Sequence, residues 1–246
     1  MKNFLIALQF LTSIPVRIKN IDENKVSSSY FPLVGLLLGL ILIGANRFLW
    51  FLGFEQFFIN IILVILLIIL TGGIHMDGLA DTMDAFLSRK GKDEILRIMR
   101  DSRIGTMGVL SLVSIILLKI AFISSISLDL KEPSLILMCV FSRWSLVLSM
   151  FLFPYAREEG KAKIFVRNIN IKVFIFSTVI TILCAFMFWR VSGLVTLAVV
   201  ALSAYIAGRA ISERIGGITG DTLGAINEFA EIAVLFNICV LGRITL

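Results

Sequence analysis

Stretches of some twenty consecutive apolar residues recur along this chain, and no other feature restricts its fold so tightly. Inside lipid a segment has to satisfy its own backbone N–H and C=O groups, so each stretch is read as a helix. A spanning helix needs about 20 mostly apolar residues, and about 17–25 will serve. The sequence predicts seven spans: Phe31–Leu52, Phe57–Ile74, Ile104–Leu128, Ser134–Phe153, Ile171–Trp189, Val191–Ala207 and Ala225–Leu241. Asn227, Glu228 and Glu231 interrupt the start of the last. The fifth and sixth are separated by little more than Arg190, which predicts a helical hairpin.

Composition supports the reading. Hydrophobic residues make up 58% of the 246, against about 45–50% in soluble domains. Almost nothing is left over for a soluble module, a linker or a repeat, so residues 1–246 read as a single transmembrane domain. The expected fold is all-α: a polytopic membrane bundle of about seven spanning helices plus an interfacial helix at the N-terminus. That helix would come from Met1–Phe10, which has a charge and an apolar patch but no small-x-small cleavage site. Cys139, Cys184 and Cys239 all fall in apolar runs without metal-type spacing, so they read as buried reduced thiols.

The net charge is +6, but its distribution argues against a nucleic-acid partner. Basic residues gather between the apolar runs rather than in a stripe interleaved with aromatics. With the N-terminus inside, seventeen lysines and arginines fall on the inner side, among them Lys2, Arg17, Lys19 and Lys25 ahead of the first span. Four remain outside: Arg47, Lys131, Arg190 and Arg243. By the positive-inside rule this orients the chain as a multi-pass protein of the cell inner membrane. It also puts every polar constellation at the cytoplasmic face.

Four constellations carry chemistry. The first is Thr71-Gly-Gly-Ile-His-Met-Asp77-Gly-Leu-Ala-Asp81-Thr-Met-Asp84, which holds the only histidine, His75. On a helix its carboxylates stand at i, i+4 and i+7, within about 60° of one another around the axis. Like charges this close need a cation near lipid. Asp77, Asp81 and Asp84 are therefore candidate ligands of a hard divalent ion such as Mg²⁺, which takes one or two carboxylates plus phosphate oxygens and water. The plainer reading is a solvated acidic helix start. Gly72 and Gly73 allow the backbone to bend, and Gly78 and Ala80 allow a neighbouring helix to approach. His75 is either a base or a helix cap.

The second is Arg97-Ile-Met-Arg100-Asp101-Ser-Arg103-Ile-Gly105-Thr-Met-Gly108. Its arginines suit phosphate, and Asp101 could accept a proton or join a metal site; the plainer reading is a positive-inside anchor. The third is Arg143 in mid-span, followed by Pro154-Tyr-Ala-Arg157-Glu-Glu-Gly160. An arginine at that depth needs either an anionic substrate or an internal carboxylate. The fourth is Ile215-Gly216-Gly217-Ile-Thr-Gly-Asp221-Thr-Leu-Gly224, a glycine-rich turn at a helix start. It is suited to phosphate or, more plainly, to helix packing.

These motifs together resemble the cobalamin synthase (adenosylcobinamide-GDP ribazoletransferase) family. The likeness runs almost end to end, through Phe10-Leu-Thr-Ser-Ile-Pro-Val16, Tyr30-Phe-Pro-Leu-Val-Gly35, the Gly72–Asp84 block, Ile98–Gly105, Ser142-Arg-Trp144, Pro154–Gly160 and Gly216–Ala225. Two positions depart from the family pattern: Ala85 stands where glycine is usual, and Ser13 where a larger polar residue is common. Asp77-Gly-Leu-Ala-Asp81 also resembles part of the signature of CDP-alcohol phosphotransferases, although the rest of that signature does not align.

The resemblance implies a phosphotransferase of late cobalamin biosynthesis. A ribose hydroxyl of α-ribazole, or of its 5′-phosphate, attacks the cobinamide-bound phosphoryl of adenosylcobinamide-GDP and GMP leaves. It implies Mg²⁺ on Asp77, Asp81 and Asp84, and Asp101 or His75 as the base. Arg100, Arg103, Arg143 and Arg157, with Gly216, Gly217 and Asp221, are then the substrate contacts. Expected partners are the two substrates, membrane lipids, and either a second copy or other enzymes of the pathway. The rival readings are a CDP-alcohol-type enzyme acting on a lipid and a small transporter. A transporter normally needs polar access from both faces, and here the outer loops are bare.

Overall fold

A computed structural model describes residues 2–16, 18 and 26–243; Arg17, Lys19 and Lys25, which enter the charge asymmetry, lie outside the described residues. The regular elements are helical: α1 (Lys2–Leu11), a 3-10 turn (Ser28–Tyr30), α2 (Phe31–Phe51), α3 (Gln56–Thr71), α4 (Ile74–Leu87), α5 (Lys92–Ile98), α6 (Thr106–Ser125), α7 (Leu128–Leu152), α8 (Lys163–Arg167), α9 (Ile171–Ile215) and α10 (Gly220–Gly242). Five are long and apolar enough to cross a membrane unaided, and α3 with α4 makes a sixth if that bent pair is one span. This is a helical membrane protein, as expected.

The count of seven differs from this at two corners. The first is inside α9, whose helical geometry fails at Trp189 and at Arg190, where φ is 46°. There the chain doubles back: a Cβ added to Gly193 would stand 2.2 Å from the carbonyl oxygen of Ala185. Residues eight apart on a straight helix are separated by about 12 Å. The predicted hairpin is therefore present, with arms 171–188 and 191–215. The second corner follows α3, a helix of 16 residues. Gly72 and Gly73 both take left-handed backbone, with φ 61° and 69°, a conformation that a Cβ disfavours. They turn the chain by 89° into α4. Ser13 steadies this corner, its hydroxyl donating to the Ile69 carbonyl at 2.7 Å and its N–H to that of Leu70 at 2.7 Å.

Because the crossings alternate, the longer connections (72–105, 153–170 and 216–219), with the described residues between α1 and α2, collect at one end of the bundle. Among the described residues the other end has the short turns near 52–55, 126–127 and 189–190. Helix α7 is the buried axis, with every residue from Ser134 to Met150 covered, and it packs against α2, α9 and α10. Helix α2 comes close through Gly35 and Gly39, where a Cβ would lie 2.3 Å from the Cys139 oxygen and 2.8 Å from the Ile136 Cα. Helix α4 meets α10 in the same way, through Gly78 and Gly224. Small residues one turn apart allow such backbone approach without a hydrophobic drive between helices. Side chains such as Leu117, Leu183, Phe186 and Met187 remain exposed on the outer surface, as lipid contact requires. The three cysteines are free.

Four buried charges from α6, α7 and α10 meet in one cluster. Lys119 on α6 lies 2.6 Å from Glu228 and 2.5 Å from Glu231, both on α10, and Arg143 on α7 lies 2.5 Å from the other oxygen of Glu231. Two cations face two anions, so the cluster is neutral overall, which makes its burial tolerable. Of the two partners open to Arg143 from sequence, the structure supplies the internal carboxylate. The interruption at Asn227–Glu231 is thereby explained: α10 crosses with its acidic face turned onto α6 and α7.

Candidate active site

Two cavities open at the loop-rich end, and α4 lies between them. The larger, of about 920 Å³, is walled by α1, the Thr71–Ile74 corner, Ile104, Leu112 and α8. The smaller, of about 280 Å³, is lined by His75, Asp77, Tyr155, Arg157 and Asp221 among others. Phe10, Ile74, Asp77 and Lys161 border both. Asp77, in the first turn of α4 beyond the glycine corner, therefore faces two compartments at once. Asp81 sits one turn on and feels the charges of Asp77, Asp221, Arg157 and Asp84.

Asp84 has a different task. Its Oδ2 accepts the N–H of Gly105 at 2.7 Å and its Oδ1 accepts that of Gly108 at 2.8 Å. A carboxylate there satisfies orphan donors at the positive end of α6. Among the described residues no group of three or more His, Cys, Asp or Glu is arranged to hold a metal ion. Both oxygens of Asp84 are thus turned to the α6 backbone, and of Asp77, Asp81 and Asp84 it is Asp77 that borders the two cavities.

Arg157 and Asp221 come from loops distant in sequence. Tyr155 and Ile218 form a parallel bridge, with Ile218 N–H donating to Pro154 O and Ala156 N–H to Ile218 O, each at 2.8 Å. Gly217 makes this possible: at φ 154° it lies so close that a Cβ would stand 2.3 Å from Pro154 O. Gly216, at φ 82°, ends α9. These two glycines thus shape the turn, and Thr219, capped reciprocally with Thr222, starts α10. Beyond the bridge the Arg157 Nη1 pairs with Asp221 Oδ2 at 2.7 Å. The Arg157 side chain is 11% exposed, yet its Nε and Nη2 have no hydrogen-bond partner.

His75 is buried, with Nδ1 unpartnered. Arg143, by contrast, lines neither cavity. Arg100, Asp101 and Arg103 are exposed on the loop before α6, whose next residue, Ile104, borders the larger cavity. Arg103 grips Asp101 through Nε at 3.0 Å and Nη2 at 2.7 Å. The side-chain and backbone hydrogen bonds from Arg103 hold the Asp101 carboxyl down at about 2. Ala85 is buried in regular α4 backbone, where a methyl group is accommodated.

Sequence reasoning passed over Tyr155, Lys161 and Phe10 as cavity walls. Tyr155 was within reach, lying in the motif that singled out Arg157. Phe10 stood out only as the head of the Phe10–Val16 motif and Lys161 gave no signal, because the cavities they border with α4 join segments distant in sequence.

Comparison with known proteins covers nearly the whole chain. A family model described as cobalamin-5-phosphate synthase matches residues 3–240. Proteins named adenosylcobinamide-GDP ribazoletransferase are similar to it. That of Caldanaerobacter subterraneus subsp. tengcongensis is 39% identical over 247 residues, covering 98% of this chain and 99% of the relative. That of Thermoanaerobacter sp. (strain X514) is 38% identical, covering 95% of each. That of Fusobacterium nucleatum subsp. nucleatum is 37% identical, covering 96% of each. No solved structure matches.

Proposed function

The chain belongs to the cobalamin-5-phosphate synthase family, and from that membership we propose that it is an adenosylcobinamide-GDP ribazoletransferase of the cell inner membrane, working at its cytoplasmic face. A ribose hydroxyl of α-ribazole, or of α-ribazole 5′-phosphate, forms a bond to the phosphorus that carries cobinamide. The bond from that phosphorus to the guanylate oxygen breaks, GMP departs with the electron pair, and adenosylcobalamin or its 5′-phosphate results.

The observation that carries this reading is Arg157: a nearly buried guanidinium, oriented by Asp221, with two donors unspent in a cavity it shares with His75 and Asp77. Phosphoryl transfer asks for positioning and charge neutralisation, and a fixed guanidinium fork supplies both. Asp77 and Asp81 suit a divalent ion completed by substrate phosphate oxygens and water, with Asp84 setting the α6 end of the site. Bound there, Mg²⁺ would neutralise charge on the diphosphate. His75 lines the smaller cavity, whereas Asp101 is gripped by Arg103 on the exposed loop before α6, so His75 is the better placed of the two base candidates. Arg100 and Arg103 at the rim draw anionic substrates inward.

The test is GMP release by membranes supplied with adenosylcobinamide-GDP and α-ribazole 5′-phosphate. Wild type should turn over, chelation should stop it and Mg²⁺ should restore it. Asp77→Asn, inserted normally, should be inactive. A wild-type protein that releases no GMP from either nucleoside acceptor would remove the assignment. A homo-oligomer, or an assembly with other enzymes of the pathway, is the proposed higher organisation, and copurification from native membranes addresses it.

A further inference from the structure

A third cavity, of about 430 Å³, adjoins the other two, and its wall is basic: Gly160, Lys161, Lys163, Ile164 and Arg167. Among the described residues Lys161 alone borders all three. It is exposed and forms no hydrogen bond or ion pair with another described residue, whereas neighbouring Lys163 donates to the Glu158 carbonyl. Its ammonium is thus an unspent charge at a three-way junction, on a residue that shares two of the cavities with Asp77.

The proposed reaction also joins three bodies at one phosphorus, and they differ in the way the cavities differ. The corrinoid is by far the largest, and of the three cavities the one of 920 Å³, with Phe10, Val26, Leu112 and Phe165 among its walls, offers the broadest apolar bed. α-Ribazole is a compact bicyclic base on one ribose, matched by the 280 Å³ cavity that holds His75 and Arg157. Guanylate is the anion that must depart, and the open third cavity carries two lysines and an arginine without a carboxylate.

Resting on the function proposed above, we infer that the corrinoid, the ribazole and the guanylate occupy the large, small and basic cavities respectively, and that Lys161 is a catalytic residue whose ammonium neutralises the guanylate oxygen as its bond to phosphorus breaks. The pair of electrons from that bond goes to the oxygen facing Lys161, while the hydroxyl proton leaves on the ribazole side toward His75. A flexible ammonium at the junction can follow charge that develops only in the transition state.

The experiment uses the purified full-length protein, with GMP as an independent probe. Lys161→Met should lower kcat about 100-fold, the loss typical of one transition-state donor. It should also weaken GMP, measured by direct binding and as a product inhibitor, about tenfold, and Lys161→Arg should recover most of both. Arg167→Met, in the basic cavity only, should weaken GMP and leave the KM for α-ribazole unchanged. Gln9→Trp, which fills the large cavity from the exposed face of α1, should raise the KM for adenosylcobinamide-GDP alone. Wild-type turnover with unchanged kcat and GMP affinity in Lys161→Met overturns the role of Lys161. A rise in ribazole KM from Arg167→Met or Gln9→Trp overturns the partition. Absence of wild-type turnover sinks the functional reading itself.

Discussion

The guanidinium of Arg157 stands 2.7 Å from the carboxylate of Asp221, and the two meet because Tyr155 and Ile218, just behind them, are locked in a bridge. One nitrogen is committed to the pair while Nε and Nη2 are left without partners, so Asp221 aims the fork without consuming it. Arg157→Lys keeps the charge but loses the fork, and should cut kcat/KM for GMP release about 100-fold, in the range seen when one transition-state donor is removed. Asp221→Asn should cost less, because orientation is loosened while every free donor survives. Equal losses in the two variants would argue against this division of labour.

Asp77 and Asp84 lie seven residues apart on α4 and should fail in different ways. Asp84→Ala removes the cap on α6, which is worth about 1 kcal/mol for a typical helix cap, and should lower the midpoint of thermal unfolding in detergent. Asp77→Asn should abolish GMP release and leave that midpoint within error of wild type.

The pair between Arg143 and Glu231 calls for a mutational rescue. Glu231→Gln strands Arg143 and weakens the hold on Lys119, and breaking a buried pair costs about 3–5 kcal/mol, so little folded protein should be recovered. Arg143→Met combined with Glu231→Gln should fold better than Glu231→Gln alone, since Lys119 keeps Glu228. Size-exclusion profiles of the solubilised protein compare the three. Were Arg143 a substrate contact instead, the double variant would be folded yet dead.

Asp101 has a carboxyl held near 2 by Arg103, below the ordinary value of about 3.9. A depressed pKa favours the folded loop above the ordinary value, and that contribution is lost as pH falls toward 2. Asp101 is therefore already ionised across the working range. Asp101→Asn should leave the acid limb of the activity profile between about pH 5 and 8 where it was; removing a general base would cost about 100-fold or more. A displaced acid limb would return Asp101 to the list of bases.

What the sequence revealed divides along local and distant lines. The apolar runs are local, and they located every long helix; the charge at Arg190 between two such runs announced the hairpin. Gly72 and Gly73 likewise signalled a bend, since few residues other than glycine tolerate consecutive left-handed backbone. Gly78 announced close packing but could not name α10. The partner of Arg143 lies 88 residues away and Gly105, capped by Asp84, 21 residues away. No periodicity encodes such distances. For Asp84, spacing on α4 pointed to its neighbours on the same helix, while the uncapped end of α6 claimed it. The cavities were the least legible part, because their walls come from α1, α4, α8 and the bridge between loops.

The brevity of α3 has a consequence for where the chemistry happens. Sixteen residues span about 24 Å at 1.5 Å each, while the hydrocarbon layer is about 30 Å thick. The corner at Gly72 and Gly73 is thus recessed by roughly 6 Å below the plane at which a full-length crossing would surface, and Asp77 is drawn down with it. A crossing this short is met by local thinning of the bilayer around it, so under the proposed function a phosphoryl group bound at Asp77 would sit below the plane of the other crossings, and lengthening the acyl chains of the bilayer should slow GMP release without touching a single residue.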